Sequence, residues 1–326
     1  MKRRTVLFAA LGTAIAGPAA LWAHRPAPSG PAQIFSAADI AFGTTIHLQV
    51  LHHDAQLAKT ALQAAIGAVK QIDALMSLYR ADSQISQLNQ HRVLHAPDLQ
   101  LLTVLRFAQD LSQKTDGAFD VTVQPFWQAA VENGDMQAAR KLVDWRNLSV
   151  SADQLALSQA GMAVTLNGIA QGYGVDQALA ALQAHGIQDA LLDTGEFAAI
   201  GKRADGQAWT VGIQDPRKPD TYAQVLTMDG RCMATSGDYS TSFTEDFSRH
   251  HIVDPRSGAS PTELASVTVL APSGLLADGL STACMVLGAQ QSLALVAAMD
   301  GVDLLCIDKA GRQTRTAGFP AALQAT

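Results

Sequence analysis

Asp278 and Thr282 stand four residues apart in a stretch with helical spacing, which sets a carboxylate and a hydroxyl on one helix face. Two hard oxygens so placed suit Mg²⁺, which keeps several waters and completes its shell with substrate phosphates. On spacing alone, such a pair more often caps a helix or faces solvent. His251 precedes Ile252-Val253-Asp254-Pro255, and Arg256-Ser257-Gly258 has the composition of a tight turn. An imidazole there titrates near working pH and can take the proton of an attacking hydroxyl. A histidine that only hydrogen-bonds a carbonyl is the commoner case. The segment 165–176 adds Gly168, Gly172 and Gly174 ahead of a helix expected over 175–185. Glycines let a loop pass close to a bulky ligand, and a helix start offers unpaired N–H groups to an anion. The pattern is neither G-x-G-x-x-G nor a P-loop, so a tight helix-packing turn is the simpler reading of the glycines by themselves.

Five further segments accompany the glycines. They are Met76-Ser-Leu-Tyr-Arg80 with Asp82-Ser83, Gly117-Ala-Phe-Asp-Val-Thr122, Ala234-Thr-Ser-Gly-Asp-Tyr239, His251-Ile-Val-Asp-Pro-Arg-Ser-Gly258 and Ala277-Asp-Gly-Leu-Ser-Thr282. In this order and spacing they resemble the FAD:protein FMN transferases, the ApbE family, from about Phe42 to the C-terminus. Thr165-Leu-Asn-Gly-Ile-Ala-Gln-Gly-Tyr173, followed by Asp193-Thr-Gly-Glu196, looks most like the exported members associated with nitrous oxide reductase maturation.

The resemblance implies an α+β fold, with mixed sheets and packed helices in one compact catalytic unit and no Rossmann domain. It implies Mg²⁺ held by Asp278, Thr282 and the main-chain carbonyl of Gly168, with His251 rather than His250 as the catalytic base. It places FAD against Phe42, Tyr79, Ala118, Phe119, Asp120, Thr165, Gln171 and Val253. The implied reaction moves the FMN moiety of FAD onto a threonine or serine hydroxyl of a target flavoprotein, through a phosphoester bond, and releases AMP. The same residues would also serve an Mg²⁺-dependent FAD pyrophosphatase, or a periplasmic FAD-binding protein without turnover. The chain departs from the family pattern at four places. Phe42 stands where many members have Met, Thr165 where many have an acid, and Gln171 where many have Lys or Glu. Asp193-Thr-Gly-Glu196 runs where many have a Gly-Gly pair, and the carboxylate missing at Thr165 bears on the contact to the adenosine half of FAD, not on the metal pair or the histidine.

A chain of 326 residues can bury a substantial core in one large or two ordinary domains. Charged residues are only 16% of it, which argues for a globular rather than a disordered chain. The net charge of −6 becomes −9 without Lys2, Arg3 and Arg4, and no Lys/Arg block follows. That argues against nucleic acid as a partner, since its binding rests on neutralised phosphates. The basic trio, an apolar run over 6–16 and Gly17-Pro18-Ala19-Ala20 read as a twin-arginine-like export signal ending near Ala23. An uncleaved anchor is the alternative, against which Gly12, Gly17 and Pro18 weigh. The expected organisation is a signal at 1–23, a polar, Pro-rich linker at 24–35 and the catalytic domain at 36–326. A periplasmic protein is expected, without the lipid anchor common in the family, because no cysteine stands near the signal. Cys232, Cys284 and Cys306 lack paired spacing and read as buried free thiols.

Positioning these groups requires an irregular succession of strands and helices. Thr45 to Val50 alternates as a half-buried strand, and Leu62, Ile66, Val69, Ile72 and Met76 recur at helical spacing. Pro97-Asp98 opens a helix that carries Leu101, Leu102, Leu105, Ala108 and Leu111 inward to about Thr115. Gly186 closes the helix after the glycine segment. Strands are expected at 190–193, 209–214, 224–228, 232–235 and 266–271, and helices at 276–287 and 291–299. A hairpin of 303–307 and 312–316 ends the chain. Neither strict β-α alternation nor a strand-only pattern holds, so an α+β architecture follows.

Overall fold

The computed structural model describes residues 31–132 and 134–323. The export signal and most of the linker lie outside these residues. The linker reading fails at its end, because β1 (Gln33–Ala41) pairs along its whole length with β2 (Thr44–His52). β1 is an edge strand with mostly exposed or half-exposed side chains, so it lacks the apolar alternation that marks a strand in sequence.

Next come α1 (Ala55–Met76), α2 (Gln84–His91), β3 (Val93–His95) and α3 (Leu99–Lys114). Asp54 and Asp98 start α1 and α3 by accepting first-turn N–H groups, Gln56 at 2.8 Å and Gln100 at 2.8 Å. Two short helices, α4 (Gln124–Glu132) and α5 (Met136–Arg140), precede β4 (Leu148–Val150) and β5 (Gln154–Leu157). The second half holds α6 (Ala170–Ala184), β6 (Ala190–Asp193), β7 (Phe197–Ile200), β8 (Thr210–Asp215), β9 (Lys218–Thr227) and β10 (Cys232–Gly237). It closes with β11 (Leu264–Ala271), α7 (Gly274–Leu287), α8 (Ala289–Val296), β12 (Asp303–Asp308) and β13 (Gln313–Arg315).

Among the described residues every strand pairing is antiparallel, and eight strands form one sheet in the order β1-β2-β6-β7-β10-β11-β12-β13. β3, β5 and β4 form a small second sheet, and β8 pairs with β9 as a separate hairpin. Period-two alternation divides the large sheet into two faces. Ala234, Val267, Val269, Leu304 and Cys306 point into the helical core with α3 and α7. Met233, Leu270, Leu305 and Ile307 point the other way, onto Trp209, Val211, Ile213 and Leu226 of the β8–β9 hairpin region. The sheet is therefore covered on both faces, by helices and by the hairpin. All eight residues of β11 are buried, as its central place demands. The three cysteines are buried and free, each in the packed interior.

The glycine segment differs from its sequence reading. Its helix begins at Ala170 rather than 175, so Gly172 and Gly174 lie inside α6. Their role is close packing. A Cβ on Gly172 would lie 2.5 Å from Asp278 Cβ and closer still to the Gly274 carbonyl oxygen, while Gly274 in turn faces the backbone of Gly172. α6 and α7 thus cross backbone on backbone. Asp176, one turn further along α6, accepts Gly274 N at 2.6 Å and Leu275 N at 2.9 Å, which caps α7 from the neighbouring helix.

Helix propensity and packing give opposite signs at two glycines. Gly67 lies in α1 with nothing within 4 Å of an added Cβ, so Gly67→Ala gains about 1 kcal/mol from propensity. Gly172→Ala meets the α7 backbone and loses about 1–3 kcal/mol despite the same propensity gain. Urea unfolding of the two variants should shift the midpoint in opposite directions.

Candidate active site

The crossing of α6 and α7 fixes a column of oxygens along one face of α7. At its first level, Gly172 N donates to Asp278 Oδ2 at 2.9 Å. No other donor reaches that carboxylate among the described residues, which leaves Oδ1 free to bind something else. One turn on, Thr282 Oγ1 stands 3.4 Å from the Gly168 carbonyl and 3.2 Å from Ser236 Oγ of β10. Ser236 also meets Ser281 Oγ at 2.7 Å. A Cβ on Gly168 would lie 2.9 Å from Thr282 Oγ1, so only glycine lets the carbonyl come this near.

A cavity opens beside this column. Gly168, Asp278 and Thr282 line it, and so does His251. Ala118, Phe119, Asp120, Thr165, Gln171 and Val253 line it as well. Ten of the twelve residues singled out in the sequence thereby share one space. Phe42 and Tyr79 do not line it. Phe42 packs its ring against Gly174, 3.3 Å or less from where a Cβ would sit, and donates its N–H to Asp73 Oδ1 at 2.9 Å. Tyr79 is 73% exposed and lies beside Gly43, in the β1–β2 turn. Phe42 is half-buried in that turn, packed against the core, and Tyr79 follows the end of α1 beside it.

The charge of the cavity is its most telling property. Three carboxylates line it, those of Asp120, Glu196 and Asp278, and no lysine or arginine does among the described residues. Asp120 is committed to structure. Its Oδ1 accepts Thr122 N and Oγ1, both at 2.7 Å, and its Oδ2 accepts Trp145 N at 2.9 Å, which shapes the turn holding Ala118 and Phe119. Burial still pushes its carboxyl up to about 6. Glu196 was not among the expected site residues. Among the described residues only Thr235 N reaches its carboxylate, at 3.1 Å, and burial followed by repulsion from Asp278 raises it well above the usual carboxylate range. Burial also raises Asp278, with the neighbouring charge of Asp176 adding and the Gly172 N–H opposing. The two buried acids disfavour each other's ionisation, and a divalent cation beside them would relieve both. The donor set of carboxylate, hydroxyl and carbonyl oxygens fits Mg²⁺. Glu196 ends the Asp193–Glu196 run noted in the sequence, where it was given no role.

His251 lies in the long connection between β10 and β11. Its N–H donates to Thr241 O at 2.9 Å, and Nδ1 stands 3.2 Å from the same carbonyl. A carbonyl only accepts, so Nδ1 carries the hydrogen and Nε2 keeps its lone pair. Burial lowers the imidazole below its ordinary value, which keeps it neutral. His250 is different. It is fully buried, with Nε2 3.0 Å from Pro261 O, and its main chain is tied in both directions to Ser260 Oγ.

Comparison with known proteins agrees with this arrangement. The model of the ApbE family matches residues 42–306. The FAD:protein FMN transferase of Vibrio cholerae is 33% identical over 285 residues, which span 82% of this chain and 85% of that protein. The FAD:protein FMN transferase of Treponema pallidum is 32% identical over 320 residues, spanning 87% of each. Among solved structures, the flavin transferase ApbE from Vibrio cholerae has a TM-score of 0.78 at 28% identity, covering 89% of this chain and 99% of that one. The apo form of Pseudomonas stutzeri flavinyl transferase ApbE has a TM-score of 0.75 at 31% identity, covering 88% and 96%. With sequence, fold and cavity in agreement, this chain belongs to the ApbE family.

Proposed function

We propose that this enzyme transfers the FMN moiety of FAD to a threonine or serine hydroxyl of a target flavoprotein. The observation that carries the reading is the acid-lined cavity without lysine or arginine, set beside a neutral imidazole. Among the described residues the cavity wall offers no positive side chain to a diphosphate, so a cation is needed to accompany one. Asp278, Thr282 and the Gly168 carbonyl would hold Mg²⁺, which neutralises charge on the diphosphate and its departing phosphate.

His251 Nε2 takes the proton of the acceptor hydroxyl. The freed oxygen attacks the FMN-side phosphorus, a new phosphoester bond forms, and the bond from that phosphorus to the bridging oxygen breaks. AMP leaves with the bridging oxygen and its electron pair. The imidazole then gives up its proton to solvent. The six remaining wall residues expected to touch FAD, from Ala118 to Val253, restrict how the dinucleotide lies. The acceptor is periplasmic or membrane-bound, and the basic and apolar start of the chain supports export to meet it.

The direct test incubates the mature chain with FAD, Mg²⁺ and candidate periplasmic flavoproteins, then weighs the acceptor for added FMN. Release of FMN and AMP at full rate without any acceptor would instead identify a pyrophosphatase. Removing the base by His251→Ala should slow transfer by roughly 10²–10⁴-fold. In the wild type, the rate should rise with pH as His251 loses its proton and level off with a midpoint below the usual ~6.5 of imidazole. Asp278→Asn keeps an acceptor for Gly172 N and removes a buried charge. Its metal-free form should melt no lower than wild type, yet lose both the rise in melting temperature given by Mg²⁺ and about 10²-fold or more in transfer rate.

A further inference from the structure

We infer that Asp238, clamped between Arg217 and Lys309, is a positioning residue that fixes the His251 loop against the cavity. This rests on the reading of His251 as the base. Asp238 directly follows β10 and is fully buried, with its N–H donating to Ala265 O at 2.9 Å. Its carboxylate receives a two-pronged pair from Arg217, Nη1 to Oδ1 and Nη2 to Oδ2, both at 2.8 Å. Lys309 Nζ closes on Oδ2 from the other side.

The three partners come from three separate elements. Arg217 lies in the two-residue turn of the β8–β9 hairpin, and Lys309 directly follows β12. Both cations reach past Asp238 to the same residue of the loop. Lys309 Nζ donates to Phe247 O at 2.8 Å, and the Arg217 guanidinium stacks over the Phe247 ring at 4.3 Å. Phe247 holds a φ of +57°, a left-handed conformation that a phenylalanine keeps only when its surroundings impose it.

Phe247 is the tip of a small hairpin that ends on the base. Phe243 N donates to Arg249 O at 2.8 Å, Ser242 bridges His250, and His251 N donates to Thr241 O at 2.9 Å. Between Thr241 and Arg249 no side chain is buried, so apolar packing does not hold this hairpin. Its tip is pinned by Arg217 and Lys309, its end by the Ser260 contacts of His250. A base displaced by about 1 Å costs on the order of 10²-fold in rate. Releasing the tip therefore acts on chemistry and leaves the metal column, on α6 and α7, untouched.

The test uses Arg217→Ala and Lys309→Met, whose side chains are partly exposed, with Asp238→Asn as the third member. Arg217→Ala should lower kcat for transfer roughly ten- to hundredfold, with KM for FAD and Mg²⁺-dependent stabilisation little changed. Millimolar guanidinium should restore part of that kcat, which it would not do for a variant that was merely less stable. In the double variant with His251→Ala, the Arg217 change should cost nothing more. An unchanged kcat in Arg217→Ala, or a loss that multiplies onto His251→Ala, overturns the inference. Full transfer by His251→Ala alone instead overturns the assignment of the base, and the same cycle distinguishes the two failures.

Discussion

α6 and α7 meet backbone on backbone at Gly172 and Gly274, and this contact sets the spacing of the oxygen column of Asp278, Thr282 and Gly168. The closeness lets an N–H of α6 reach a carboxylate of α7, and it brings the Gly168 carbonyl level with Thr282 one turn later. Asp176 secures the same crossing from the opposite direction by capping α7. The arrangement spends helix propensity in α6 on geometry. A tighter helix former at position 172 would separate the two backbones and pull the oxygens apart.

The site also spends stability on charge. Asp278 and Glu196 are buried near each other, and among the described residues no lysine or arginine stands beside either in the cavity wall. A protein selected only for folding would replace one of them with an apolar residue. The Asp238 cluster uses the opposite arrangement: a buried carboxylate with two cations on it, and a pull on the pKa that is downward despite burial. Asp238 is satisfied within the fold by two cations, whereas Asp278 and Glu196 each receive a single backbone N–H among the described residues. The contrast separates structural carboxylates from functional ones better than residue type does.

The sequence disclosed elements where one physical signal dominates. α1 and α3 follow their apolar stripes, and β6 matches its expected 190–193 span. The Asp278–Thr282 face was legible because helical spacing alone sets it. β1 was hidden because it is an exposed edge strand, and β3, β4, β5 and β7 because each has only three or four residues. The start of α6 was misplaced because glycines signal a loop locally, while here tertiary contact keeps them helical. Glu196 escaped notice for a similar reason: its surroundings are set by the approach of Asp278 of α7, and spacing along the chain does not encode that. Phe42 and Tyr79 are neighbours of the site's elements but stand outside its cavity wall, a distinction only coordinates can draw.

The great sheet is joined at its middle by a single register pair, Met233 opposite Phe197. On one side of this joint lie β1, β2, β6 and β7, packed by α1 and α6; on the other lie β10 to β13, backed by α7. The column of oxygens straddles the joint, since Gly168 leads into α6 and Thr282 belongs to α7. Whatever lodges there touches both halves at once, and so adds a tie across this joint beside the α6–α7 crossing.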